Sequence, residues 1–113
     1  MKHVRAVELA EQGVSHDPAI RKQVLLPLGL VPRLTGFSRA VLRPGQEASE
    51  HRHLDMAEVF LVQAGQATVA IEGQPLSLAT GDCLLVEPGE RHRIANTGSE
   101  DLVLLYFGLE IDG

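Results

Sequence analysis

Three histidines and one glutamate are spaced so that they could bind a single metal ion. His51 and His53 are separated by one residue, Glu58 opens the next apolar run, and His92 stands in a second polar stretch. Residues two apart point to nearly opposite sides of a helix, but on a strand they share one face, about 7 Å apart at their Cα atoms. Only a strand therefore lets His51 and His53 bind the same ion.

These four side chains form a mixed set of nitrogen and oxygen donors. Imidazole and carboxylate groups suit divalent Fe, Mn, Ni, Co or Zn, and in a six-coordinate ion they leave positions open for water or substrate. Open positions are what a catalytic metal needs. The pattern predicts one divalent transition metal ion, provided that the chain turns near residues 54–56 and a separate hairpin supplies His92.

Regularly spaced glycines predict the short strands that could position these side chains. From Gly45 to Gly108 most glycines lie eight to ten residues apart, with apolar runs between them. The predicted strands cover residues 59–62, 67–71, 83–86 and 102–107, and residues 72–74 fit a hairpin turn. Only two short windows, 7–12 and 17–23, could be helical, and residues 1–30 look less regular. We therefore expect a single all-β domain over residues 1–113, an antiparallel barrel or sandwich.

Composition narrows the kind of partner and the compartment. The 113 residues are 44% hydrophobic and 22% charged, which is ordinary for a packed domain. A formal net charge of −5 and the lack of tryptophan argue against a nucleic-acid partner. No apolar stretch approaches the ~18 residues of a membrane span. The single cysteine, Cys83, fits a reducing compartment, so a cytoplasmic protein without membrane or nucleic-acid partners is expected.

The two polar stretches resemble the two motifs of the cupin superfamily. The first motif, G-x5-H-x-H-x4-E-x6-G, is matched at every fixed position by Gly45, His51, His53, Glu58 and Gly65. The second, G-x5-P-x-G-x2-H-x3-N, is matched by Gly81, Gly89, His92 and Asn96, while Glu87 stands in place of its first proline. Many fixed positions in the right order make this resemblance specific, and the chain is similar to small single-domain cupins.

The resemblance covers residues 45–96 by motif and residues 37–109 by strand pattern. It implies a jelly-roll β-barrel (a double-stranded β-helix) that holds the metal inside, and usually a homodimer, which would also cover exposed strand edges. Cupins include dioxygenases, isomerases, lyases and decarboxylases, so the resemblance narrows the site and not the reaction. We expect a metal-dependent enzyme acting on a small organic molecule; the alternative is a non-catalytic module that binds a metal or a small ligand.

Five further residues carry expectations of their own. Glu87 is a candidate general base or a group that supports a metal ligand, although a solvated turn carboxylate is its ordinary role. Tyr106 is a candidate proton donor lining the barrel, although a strand tyrosine is often part of the core. Arg39 is a candidate substrate-binding residue if the strand face that carries residues 37, 39 and 41 is the inner one. Cys83 is expected to be a small buried hydrophobe, and Asn96 a structural hydrogen-bonding residue.

Charge at the expected metal predicts the kind of ligand. Three neutral imidazoles, one carboxylate and a divalent ion leave a net charge of about +1 in a low-dielectric cavity. A 2-oxo acid, a 2-hydroxy acid or a sugar-derived acid could replace both bound waters at once. We therefore expect a small anionic ligand, with Arg39 assisting if it points inward.

Overall fold

This computed structural model describes residues 1–111. Their strands form two antiparallel sheets. The larger sheet has the strand order β1-β2-β3-β10-β5-β8. Its strands are β1 (Gln12–Val14), β2 (Asp17–Leu26), β3 (Leu34–Leu42), β5 (Met56–Ala64), β8 (Cys83–Val86) and β10 (Leu102–Glu110). The smaller sheet has the order β4-β9-β6-β7 and consists of β4 (Glu47–His51), β6 (Ala67–Ile71), β7 (Gln74–Leu78) and β9 (His92–Ala95). The all-β prediction is confirmed.

The core lies between the two sheets and is built from alternate residues of their strands. In β3 the buried side chains are Ser38, Ala40 and Leu42, and the residues between them are more accessible. Leu102 and Leu104 of β10 join the same apolar cluster, together with side chains of the smaller sheet such as Val69 and Ile94. This period of two follows from the pleat of a strand, which sends successive side chains to opposite faces.

The predicted strands between the glycines are confirmed, and one turn shows why glycine is needed there. Residues 59–62 and 102–107 lie within β5 and β10, while 67–71 and 83–86 coincide with β6 and β8. Gly65, between β5 and β6, has a positive φ of 81°, and an added Cβ would collide with the carbonyl oxygen of Asp101. A side chain at position 65 would therefore both strain this turn and displace the neighbouring chain.

The N-terminal part is more regular than predicted. Residues 17–23, one of the two predicted helical windows, belong to the ten-residue strand β2, which pairs with β1 on one side and with β3 on the other. The other window overlaps only a three-residue 3-10 helix, Ala6–Glu8. Pairing with distant strands outweighs a weak local helical preference, so residues 17–23 form a strand and not a helix. Within the segment 1–30, expected to be less regular, two strands, β1 and β2, are regular. Within residues 1–111, no helix is long and apolar enough to cross a membrane.

Candidate metal centre

The fold brings His51, His53, Glu58 and His92 together at one end of the space between the sheets. His51 ends β4 and lies opposite His92 of β9, so the smaller sheet holds both rings, with 4.4 Å between their centroids. Glu58 comes from β5 of the larger sheet, and His53 lies in the connection between β4 and β5. One donor atom from each residue lies within 4.8 Å of all the others, so the four side chains form a potential metal site.

Backbone carbonyls orient two of the imidazoles. Nδ1 of His51 lies 2.8 Å from the carbonyl oxygen of Ser49, and Nδ1 of His92 lies 3.2 Å from that of Glu90. A carbonyl oxygen can only accept a hydrogen bond, so Nδ1 donates in both rings, and in the neutral ring the lone pair is on Nε2. Such hydrogen bonds fix the tautomer of metal-binding histidines.

A side chain from β2 in turn holds the strand that carries His51. The carboxylate of Asp17 accepts hydrogen bonds from the Ser49 hydroxyl (2.7 Å) and the Ser49 backbone N–H (3.0 Å). These two hydrogen bonds hold the pKa of Asp17 below its usual value. Asp17 therefore ties the edge of the smaller sheet to the larger one beside the cluster.

The two buried members of the cluster have unsatisfied polar atoms. Glu58 is 8% exposed and His92 is 1% exposed. Glu58 Oε1 and His92 Nε2 lie 3.1 Å apart, yet among the described residues neither atom has a hydrogen-bond partner of acceptable geometry. Burial lowers the pKa of His92, but the neighbouring Glu58 carboxylate and the Glu90 carbonyl outweigh it, so this pKa lies above its usual value. The environment of Nε2 thus favours positive charge.

The cluster stands between two cavities of different size and polarity. An outer cavity of about 620 Å³ has a mixed lining of apolar and polar side chains, and Lys22 and Arg52 are among the charged ones. An inner cavity of about 90 Å³ is lined mainly by apolar side chains of both sheets. Val14, His51, Glu58 and Tyr106 line both spaces, so these residues form the neck at which the cavities adjoin.

Lys22 is the site residue that sequence reasoning missed. It lies two residues after the buried Ile20 in β2, on the inner face, and it pairs in register with Ala40. Its ammonium group makes no hydrogen bond or ion pair with any residue in the range 1–111. The helical interpretation of residues 17–23 concealed it, whereas the alternation of Ile20 and Lys22 on a strand would have revealed an inward cation.

Arg39 does not point into the cavity. The inner positions of β3 are Ser38, Ala40 and Leu42, and Arg39 pairs in register with Gln23 and Leu105 on the outer face. The condition under which Arg39 is a candidate substrate-binding residue, that residues 37, 39 and 41 face inward, is therefore not met. The sequence of β3 does not show which alternate set of residues faces inward, and a shift of one residue exchanges the two faces of a strand.

Tyr106 lines the cavities beside the cluster, and Glu87 does not. Tyr106 lines both cavities and stacks on Phe60, with 5.6 Å between the ring centroids. Burial raises its pKa, a hydrogen bond with Ser38 opposes the rise, and the nearby Glu58 adds to it, so the hydroxyl stays protonated at neutral pH. Glu87 is exposed in the turn before His92, where its N–H donates to Glu90, and it lines neither cavity.

Two structural expectations have opposite outcomes. Asn96 is buried and donates hydrogen bonds to the carbonyl oxygens of Leu42 and Glu100, while its own side-chain oxygen accepts one from the Gly98 N–H. Its structural role is thus confirmed. Cys83 is exposed, because the inner positions of the edge strand β8 are Leu84 and Val86, so the expected burial of this thiol is wrong.

Comparison with known proteins agrees with this fold and with the two polar stretches that supply the cluster. The model of the cupin domain matches residues 38–108, which span both polar stretches and the strands around them. The chain belongs to the cupin family. As a cupin it is 40% identical over 67 residues to Protein SchB of Streptomyces halstedii, which covers 59% of this chain and 49% of SchB. It is 32% identical over 69 residues to the oxalate-binding protein of Thermotoga maritima, covering 61% of this chain and 57% of that protein.

Solved structures show the same fold over almost the whole chain. A predicted oxalate decarboxylase from Thermotoga maritima has a TM-score of 0.89 at 24% identity and covers 97% of this cupin and 100% of its own chain. KdgF from Halomonas sp. has a TM-score of 0.81 at 20% identity, covering 99% and 96%. At these identities the likeness is one of fold. The chain spans about half the length of the curated relatives that it matches.

Proposed function

We propose that this cupin binds one divalent transition metal ion, one of Mn, Fe, Ni, Co or Zn, through His51, His53, Glu58 and His92. The observation that carries the proposal is the pair of buried, unsatisfied atoms, Glu58 Oε1 and His92 Nε2. Buried polar atoms without partners are costly and rare in folded proteins. A metal ion between them would satisfy both atoms.

The donor set fits such an ion. Three imidazoles and one carboxylate converge, and the two rings whose Nδ1 atoms donate to carbonyls direct Nε2 as the donor. The cluster contains no thiolate and adjoins two cavities, unlike the closed, thiolate-rich sites of structural zinc. A bound ion would act as a Lewis acid that polarises a ligand oxygen.

The second part of the proposal is a metal-dependent enzyme, of the dioxygenase, isomerase or lyase type, acting on a small anionic molecule. The ammonium group of Lys22 and the guanidinium of Arg52 line the outer cavity, where they would attract an anion despite the net charge of −5 on the chain. The protonated Tyr106 hydroxyl at the neck is the side chain that could hold or deliver a proton there.

The alternative is a non-catalytic module that binds the same kind of ligand. One relative is named an oxalate-binding protein, which names binding and no reaction, whereas the structural neighbour is a predicted oxalate decarboxylase. Both names support a small carboxylate as the ligand. Consumption of the bound acid by the metal-loaded protein would separate the enzyme from the module.

The homodimer also stays a proposal, and an apolar row on the larger sheet supports it. Phe37, Phe107, Val59 and Leu85 are paired in register across four strands on the outer face, and we call them the outer apolar row. Leu85 is 57% exposed. A second copy of the chain packed on the outer apolar row would remove this row from water. A nucleic-acid or membrane partner is not needed to cover it.

The metal content of the purified protein directly tests whether it binds one divalent ion per chain. The tag-free protein is stripped with a chelator, reconstituted with Mn²⁺, Fe²⁺, Ni²⁺, Co²⁺ or Zn²⁺, dialysed and analysed for metals. We expect about one ion per chain for the wild type and less than about a tenth of that for His92→Ala, which removes a buried donor. His3→Ala, an exposed histidine outside the cluster, should match the wild type. Wild-type protein without any of these metals after reconstitution would contradict the proposal.

A further inference from the structure

The inner cavity is a space that metal binding by itself does not explain. We propose that it is a subsite for a short alkyl group, so that the ligand is a chelating acid with a linear or branched apolar chain. This inference rests on the proposed function, because it assumes that the acid group binds at the cluster.

The lining of the inner cavity separates polar from apolar surfaces. Away from the neck its walls are apolar, and Ile20, Leu42, Ile94 and Leu104 are all at most 5% exposed. The polar side chains on its lining, among them His51 and Glu58, belong to the cluster or stand beside it. A hydroxyl group placed deep in this space would lose its hydrogen bonds to water without replacement, whereas a methyl group would not. The cavity therefore selects an apolar substituent over a polyhydroxylated one.

Its size limits the substituent. The cavity measures about 90 Å³. An apolar protein cavity of ~150 Å³ is known to accept benzene. The inner cavity is well below this volume, so it suits a chain of a few carbon atoms better than an aromatic ring.

The position of the cluster gives the ligand a direction. An acid that chelates at the neck has the cationic outer cavity on one side, with Lys22, and the apolar inner cavity on the other. The favourable orientation directs carboxylate oxygen towards Lys22 and the alkyl chain inward between the sheets. In this orientation each end of the ligand meets a surface of matching polarity.

A series of 2-oxo acids tests the subsite on metal-loaded protein by calorimetry. The series is pyruvate, 2-oxobutanoate, 3-methyl-2-oxobutanoate and phenylpyruvate, with oxalate as an acid that has no chain. Affinity should rise about four-fold for each added methylene, and so roughly fifteen-fold from pyruvate to 3-methyl-2-oxobutanoate. Phenylpyruvate should lose this gain because its ring does not fit.

Substitutions that change the cavity volume complete the test. Ala48→Leu fills the space from the smaller sheet and should reduce the rise along the series to less than two-fold. Ala19→Leu, an exposed position on β2, is the matched control and should keep the full rise. If Ala48→Leu does not fold, Val14→Ala enlarges the space and should favour 4-methyl-2-oxopentanoate over 3-methyl-2-oxobutanoate by several-fold more than the wild type does.

The possible results separate the two proposals. Equal affinity for all chain lengths in the wild type, or an unchanged rise in Ala48→Leu, would overturn the alkyl subsite. If oxalate and one metal ion per chain still bind in that case, the proposed function stands. A wild type that takes up no metal would overturn the proposed function and this inference with it.

Discussion

The two faces of the larger sheet are built from alternate residues of the same strands, yet they differ in character. On the inner face Ser38, Tyr106 and Phe60 are paired across β3, β10 and β5 and lead to the candidate metal centre. One residue away on each of these strands, Phe37, Phe107 and Val59 are paired on the outer face. The inner row contains hydroxyl groups at the cavities, and the outer row contains none.

This difference shows that the alternation of side chains along a strand decides which of them face the candidate metal centre. Lys22 and Arg39 are both cations in neighbouring strands, but Lys22 is inward and Arg39 is outward. A one-residue slip of either strand would exchange their roles. For these two cations the face of the strand, and not the type of residue, decides which one lines the outer cavity.

The largest difference that we expect between the two faces is in the free energy of unfolding lost when a leucine is replaced by alanine. Leu102 is fully buried on the inner face, and Leu61, on the outer face, is 36% exposed. Leu102→Ala should lower the free energy of unfolding by about 2–5 kcal/mol, because it leaves a cavity in a packed core. Leu61→Ala should cost at most about 1 kcal/mol. Urea unfolding measures both values, and equal losses would show that the two faces are buried alike.

Much of the fold could be predicted because its signals are local. Glycines at the turns and the apolar runs between them define β5, β6, β8 and β10 without knowledge of their partners. β2 has no such signal, since it combines Asp17, Pro18 and two basic residues with apolar ones. It is a strand because β1 and β3 pair with it, and that pairing is not visible in a local window.

The candidate site also has a part that could be predicted from the sequence and a part that could not. Residue types and spacing predict the cluster that the fold brings together. His53 nevertheless lies just after the end of β4, so a strand that carries both His51 and His53 is not needed to bring their rings together. The parity of Arg39 could not be fixed, because no single residue of β3 identifies the inner face. The inner cavity could not be predicted either. Its volume depends on the small side chains Ala40 and Ala48, which come from different sheets.

A charge on the outer apolar row should break the proposed dimer. We expect light scattering to give the wild type twice the 12.2 kDa mass of the chain. Leu85→Glu should shift the protein to a monomer at micromolar concentration, weakening association at least about 100-fold, because each copy would bury an unpaired carboxylate. Leu76→Glu, which places the same charge on an exposed leucine of the smaller sheet, is the control and should remain a dimer. A monomeric wild type, or dissociation only in Leu76→Glu, would contradict the assignment of this face.

The smallest expected effect compares the inner cation with the outer one. Lys22→Gln keeps a long polar side chain but removes the charge that faces the outer cavity, so oxalate should bind the metal-loaded protein about five- to ten-fold more weakly. Arg39→Gln removes a charge of the same sign from the opposite face and should change the affinity less than two-fold. Added salt should weaken oxalate binding more in the wild type than in Lys22→Gln, because screening acts on the charge that the substitution removes. Calorimetry at two salt concentrations measures all of these values. An Arg39→Gln protein that loses as much affinity as Lys22→Gln would show that the anion responds to the overall charge of the chain and not to a cation on the inner face.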